Sequence, residues 1–184
     1  MVIVRKARAY SKRKPVSNTR KSKKTQYSYV KQVPTQKIVK FNMGDPLGFD
    51  QGKYHIKITM SSEEPIQIRD LSLESARQAI HKEMTVIFQK GYFLRCNCYP
   101  HNILRNNRVF SGGSKGERIQ TGMSKSFGSS EGRAAVVKKG KPVFTAYFNG
   151  VENIPRVRSI FIMARSKLPC KTKIVVEMEK LAKQ

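Results

Sequence analysis

The chain has no tryptophan, three histidines, three cysteines and 12 acidic residues among its 184 positions. Each shortage excludes something. Three cysteines (Cys96, Cys98 and Cys170) are odd in number and contain no CxxC spacing, which argues against a disulfide framework and reads as reduced thiols of a cytosolic protein. Cys96 and Cys98 lie two apart, as neighbours on one face of a strand, where small buried hydrophobes are the simplest reading. A metal site built from Cys96, Cys98, His101 and Cys170 lacks the usual zinc spacing. A nucleophile pair of Cys98 and His101 lacks a third, orienting group. No catalytic residue, metal ligand or cofactor is therefore expected. Apolar runs are short as well. None approaches the roughly 20 residues of a transmembrane helix, and Met1-Val2-Ile3-Val4 meets Arg5 at once, which is no secretory pattern.

The deficit of carboxylates matters most. Asp45 is the first acidic residue, and the 44 residues up to Gly44 carry thirteen lysines and arginines. They include Arg5, Lys6, Arg8, Lys12, Arg13, Arg20 and Lys21. A one-signed segment repels itself and favours an extended chain. A polyanion removes that penalty, because each cation set against a phosphate releases a condensed counterion. Tyr10, Tyr27 and Tyr29 stand among the charges, where bases can stack while cations follow the backbone. Over the whole chain 37 basic less 12 acidic residues give a net charge of +25, an imbalance that implies an anionic partner, nucleic acid before membrane. Arg105, Lys125 and Arg133 extend the basic character beyond the arm.

Residues 1–36 thus read as an extended basic arm and 37–184 as a single domain. In the domain, Tyr54, Ile56, Ile58 and Met60 alternate with polar residues, a strand signature. Ser72 offers a helix N-cap, and Leu73, Ala76, Ile80, Met84, Ile87 and Phe88 form one apolar stripe that ends near Gly91. Residues 92–99 read as a buried strand, 103–110 as another, and 136–148 as a hairpin turning at Gly140-Lys141-Pro142. A second helix begins near Asn153 and Pro155, with Val157, Ile160, Phe161, Ala164 and Leu168 inward, and a last strand follows Pro169. The order implies an α+β fold: a mixed, largely antiparallel sheet with two covering helices. Residues 111–123, with Gly112, Gly113, Lys115, Arg118 and Gln120, have no apolar periodicity and read as a mobile internal loop. The loop lacks the GxxxxGK[ST] spacing of a nucleotide triphosphate site.

Several segments resemble one family in order along nearly the whole chain. Tyr99-Pro100-His101-Asn102-Ile103-Leu104-Arg105 resembles its YPHHVLR segment, and Arg118-Ile119-Gln120-Thr121-Gly122-Met123 with Phe127-Gly128 resembles RLQTGM…AFG. Leu73-Glu74-Ser75-Ala76-Arg77 is similar to ALEAAR, and Arg5-Lys6-Ala7-Arg8-Ala9-Tyr10 to RPARCY, with Lys6 and Ala9 replacing the proline and cysteine. Val33-Pro34, Lys37-Ile38, Phe41 and Met43-Gly44 resemble VPDPKIRxFDMG, and Ser166-Lys167-Leu168-Pro169 resembles SKLP. The family is the universal large-subunit ribosomal protein sixteen, in its archaeal and eukaryotic L-ten-e branch. The resemblance implies an α/β-hammerhead-like fold and a cytoplasmic, non-enzymatic constituent of the large subunit. It further implies contacts with ribosomal RNA beside the aminoacyl-tRNA site, including regions near 5S RNA, with tRNA and with neighbouring ribosomal proteins, without a membrane or a homo-oligomer. Entry late in subunit assembly and an internal loop directed toward the peptidyl transferase centre complete the expectation. Composition alone leads only to a basic nucleic-acid-binding protein, and a chromatin-type DNA-binding protein is the alternative to the ribosomal reading.

The arm's charges and rings are expected to act differently. Neutralising Arg5 and Arg8 should lower the slope of log affinity against log salt by about 0.7–0.9 for each phosphate no longer engaged. Removing the Tyr10 ring should weaken RNA binding at every salt concentration. A salt titration of both variants checks this, and equal changes in slope would contradict the division.

Overall fold

The computed structural model describes residues 6–12, 17–19, 24–27, 30, 32–106 and 129–178. The expectations at Arg5, Arg13, Arg20, Lys21, Lys125 and in the loop 111–123 lie outside these residues.

The strands are β1 (Asn42–Gly44), β2 (Ile56–Ser62), β3 (Ile66–Arg69), β4 (Tyr92–Cys96), β5 (Asn102–Asn106), β6 (Ser129–Val137), β7 (Pro142–Phe148) and β8 (Thr172–Met178). Helices are α1 (Pro46–Asp50), α2 (Asp70–Phe88) and α3 (Ile154–Arg165). The fold is α+β, as expected, but the strands divide into two antiparallel sheets. Five strands run in the order β1-β4-β7-β2-β8 and three in the order β3-β6-β5. The anticipated hairpin over 136–148 is not a ladder, since β6 pairs with β3 and β5 while β7 pairs with β2 and β4. Its turn carries the chain from one sheet to the other beside the similar passage from β2 to β3. The two passages are joined: Gly140 N donates to Ser62 O at 2.7 Å, and Ser62 N donates to Lys141 O at 3.1 Å.

Period-two burial along β2 puts Ile56, Ile58 and Met60 into the core. The stripe of α2 buries Leu73, Ala76, Ile80 and Met84, and α3 buries Val157, Ile160, Phe161 and Ala164 in the same cluster. Helix α2 packs on α3, β3, β4 and β6 and so covers parts of both sheets. The core's largest fully buried side chains include Tyr92, Phe144, Phe148 and Phe161. Phe49 of α1 stacks on Phe93, with ring centroids 4.5 Å apart, and lies 4.6 Å from Tyr147.

Two local expectations change. Helix α2 starts at Asp70, after extended Arg69 and not after Ser72, so that Ser72 lies buried inside its first turn. Asn153 precedes α3 without a side-chain cap, following a short 3₁₀ turn at Val151–Asn153. Gly44-Asp45-Pro46 leads into α1, which Asp45 caps by accepting from Gly48 N at 3.0 Å. Gly44 is required there. Its φ is +90°, and an added Cβ would stand 2.0 Å from the carbonyl oxygen of Tyr92.

The end of α2 carries a polar network. The Tyr92 hydroxyl lies 2.6 Å from His81 Nδ1 and 2.8 Å from Thr85 Oγ1, which itself donates to His81 O. Burial holds the His81 ring below its ordinary 6.5, aided by the nearby Arg77 and Lys40 cations.

Two outcomes follow from this packing. Gly44→Ala should cost about 2 kcal/mol or more in urea unfolding, because both a left-handed backbone and a carbonyl oppose the methyl group; wild-type stability would contradict the assignment. The unfolded chain takes up a proton at His81 more readily than the folded one. Stability should therefore decline as pH falls from about 7 to 5, with part of the decline absent in His81→Gln. An unchanged pH profile in that variant would rule out the His81 contribution.

Candidate nucleic-acid interface

A three-stranded sheet leaves two open edges, here β3 and β5, and open edges invite further pairing. The N-terminal segment occupies both. Ser11 O accepts from Gln67 N at 3.0 Å and Lys12 bridges antiparallel to Ile66, on the β3 edge. On the β5 edge, Asn18 O accepts from Ile103 N at 2.8 Å, and Asn18 N donates to Asn102 Oδ1 at 2.8 Å. Asn102 Nδ2 donates in turn to Gln67 Oε1 at 2.7 Å. Asn102 and Gln67 are both buried. A chain of amides thus links the segment at one edge to the strand at the other. Contact with the domain begins well before Lys37, where composition alone would start it.

Carboxylates fix this segment and its junction with the domain. Tyr10 has φ +62° and donates its hydroxyl to Glu131 on β6. Lys37 N donates to Asp70 Oδ2 at 3.2 Å and Val39 N to Glu74 Oε2 at 3.3 Å, both at the start of α2. Arg77 closes a buried ion pair on Glu74, with Nη2 to Oε1 at 2.6 Å and Nε to Oε2 at 2.7 Å. The Arg77 bond holds the Glu74 carboxyl below its ordinary range against the opposing effect of burial. Burial pushes the Asp70 carboxyl up, although the N–H groups of Leu71 and Lys37 pull the other way.

The consequence is an outward display of cations. Lys6, Arg8 and Lys12 are exposed on the seated segment, and Arg105 is exposed on β5. Arg133 is placed differently. Its Nε donates to Pro34 O at 2.6 Å and Nη1 to the Tyr99 hydroxyl at 3.3 Å, so it also ties down residues near 34. Tyr10, expected as a stacking ring, is likewise an anchor. Sequence reasoning passed over Arg165 and Lys171, which share a cleft with Lys6 and Arg8. The only sequence signal for them was basic residues flanking the Pro169 turn.

The weak chemical candidates separate. Cys98 Sγ donates to Pro142 O at 3.4 Å, and burial pushes its thiol up to about 12, where no thiolate forms at neutral pH. His101 instead places Nδ1 3.2 Å from Tyr99 O and Nε2 3.3 Å from Ser17 Oγ. Among the described residues no group of three or more His, Cys, Asp or Glu side chains is arranged to hold a metal ion. No helix among them is long and apolar enough to cross a membrane.

The family model for ribosomal protein L16p/L10e matches residues 16–175. Large ribosomal subunit protein uL16 of Pyrobaculum aerophilum is 37% identical over 175 residues, covering 95% of this chain and 93% of that protein. The protein of the same name from Thermofilum pendens is 34% identical, covering 83% and 88%. That from Halobacterium salinarum is also 34% identical, covering 88% and 93%. With a match that takes in both sheets, all three helices and part of the basic arm, the chain belongs to the ribosomal protein L16p/L10e family.

Proposed function

We propose that the chain is a structural constituent of the large ribosomal subunit in the cytoplasm, binding ribosomal RNA and neighbouring ribosomal proteins without catalysing a reaction. The observation that carries this reading is the family match across 16–175 in a chain of net charge +25. The physical role is neutralisation: cations held on a rigid sheet meet phosphates whose mutual repulsion otherwise keeps RNA helices apart. Phosphate contacts of this kind fix position without reading sequence.

The finer reading puts the chain beside the aminoacyl-tRNA site and near 5S RNA, joining late in assembly. The segment 1–36 threads between RNA helices, with Arg5, Lys6, Arg8, Lys12, Arg13, Arg20 and Lys21 against phosphates and Tyr10 at its anchored turn. Arg105, Lys125 and Arg133 extend that contact from the domain. The loop 111–123 runs toward the peptidyl transferase centre, with Gly112, Gly113, Lys115, Arg118 and Gln120 facing tRNA. Support comes from the segment resemblances and from the position of this loop, which connects the two paired strands β5 and β6. A loop between paired strands extends from a rigid base.

Replacement of residues 112–118 by a short linker tests the finer reading. Folding and entry into subunits should persist, because neither β5 nor β6 is shortened. Purified subunits carrying the variant should bind tRNA less well and form peptide more slowly. Wild-type rates for both would make the loop a passive connector.

A further inference from the structure

A second basic feature joins the start of the seated segment to the far end of the chain. A cleft of about 730 Å³ opens between residues 6–8 of the N-terminal segment and the turn that follows α3. Its volume falls in the range of roughly 300–1,000 Å³ that suits a ligand of small-molecule size. Lys6, Arg8, Arg165 and Lys171 line it with Glu64, four cations against one carboxylate. Arg165 is held in place: its Nε donates to Thr172 Oγ1 at 3.0 Å and one terminal nitrogen donates to Thr172 O. Its other terminal nitrogen takes part in neither bond.

Beside Ser166, whose hydroxyl donates to Met163 O at 2.9 Å, the rest of the cleft's wall is apolar. Leu168 is buried, and Pro169 and Cys170 are half-buried beside it. Burial, foremost, keeps the Cys170 thiol protonated by raising its pKa, so this wall carries no charge. The turn itself is tight, with Lys167 N donating to Ala164 O at 3.0 Å and Leu168 N to Arg165 O at 3.0 Å. Cations on one side and an uncharged wall on the other do not match a duplex. A duplex offers phosphates on a convex surface and keeps its bases stacked inside. They do match an unpaired nucleotide, whose phosphate and base face can be held separately.

We propose that this cleft receives one unpaired nucleotide of RNA, its phosphate among Lys6, Arg8 and Lys171 and its base against the Leu168–Pro169–Cys170 wall. The inference rests on the reading that the chain binds ribosomal RNA, and it adds a defined single-stranded site to it. Among the described lining residues Glu64 is the one that opposes the phosphate, so its charge weakens binding. Residues from opposite ends of the sequence build the site, which therefore exists only when the N-terminal segment is seated.

The test is site-directed photo-crosslinking in assembled large subunits. The full chain carries a benzophenone amino acid at Ser166, or at Lys167 should the first derivative fail to enter subunits; both positions are exposed. A crosslink to an unpaired ribosomal RNA nucleotide is expected. Its yield should fall about fivefold or more on Arg8→Glu or Lys171→Glu, and rise on Glu64→Gln. Crosslinks confined to protein or to paired RNA would overturn the cleft assignment while leaving the ribosomal role intact. A yield indifferent to all three substitutions would do the same. If the wild-type chain itself failed to enter subunits, the parent reading would fall, and this one with it.

Discussion

The use made of a few carboxylates organises this molecule. Glu131 accepts a hydrogen bond from Tyr10 of the N-terminal segment, and Asp70 and Glu74 accept from Lys37 and Val39, where that segment enters the domain. These are groups on α2 and β6, elements that already belong to the core. A basic segment that would otherwise repel itself is thus fastened at points where negative charge is available. Glu74 is held for that task by Arg77, in a pair whose side chains are 11% and 9% exposed. Breaking such a buried pair leaves an uncompensated charge, typically at a cost of about 3–5 kcal/mol. With Asp45 capping α1, these acids serve internal joints, and the chain's large positive excess is left to an external polyanion.

Fastening the arm also resolves a weakness in the fold. The smaller sheet has three strands, and both of its edges would be open templates for pairing with other chains. Ser11 and Lys12 occupy one edge and Asn18 the other. Asn18, Asn102 and Gln67 form a linked set of amides behind them. A buried amide network of this kind is stabilising only when its members find partners, and here each amide supplies the next. The same residues therefore close the sheet and direct Lys6, Arg8 and Lys12 outward.

Much of the domain was legible because its signals are periodic. The alternation through Ile56, Ile58 and Met60, the α2 stripe and the inner face of α3 all appear where periodicity puts them. The division into two sheets was not legible. Residues 136–148 look like a hairpin locally, and only the pairing of β6 with β3 and β5 assigns the halves to different sheets. The start of β6 at Ser129-Ser130-Glu131-Gly132 has glycine and polar residues, so it reads as irregular until its partners on β5 are known. Five-residue α1 is too short for a helical period to show. At the interface, charge identified the arm as a whole. It could not foretell that Tyr10 and Arg133 bond internally, or that Arg165 and Lys171 meet Lys6 and Arg8 from the far end of the chain.

Family membership and charge converge on one partner: a chain of net charge +25 in a large-subunit ribosomal protein family meets its counter-charge in ribosomal RNA. Counterion release alone is sequence-independent and collapses as salt rises. Many contacts fixed on a rigid surface should resist that collapse. The most direct measurement is sedimentation of ribosomes from cells expressing the chain through a high-salt sucrose cushion, with the chain quantified against large-subunit RNA. One copy per large subunit, retained after the wash, is the expected result. A chain that washes free of the subunits, or that instead follows duplex DNA, would contradict it.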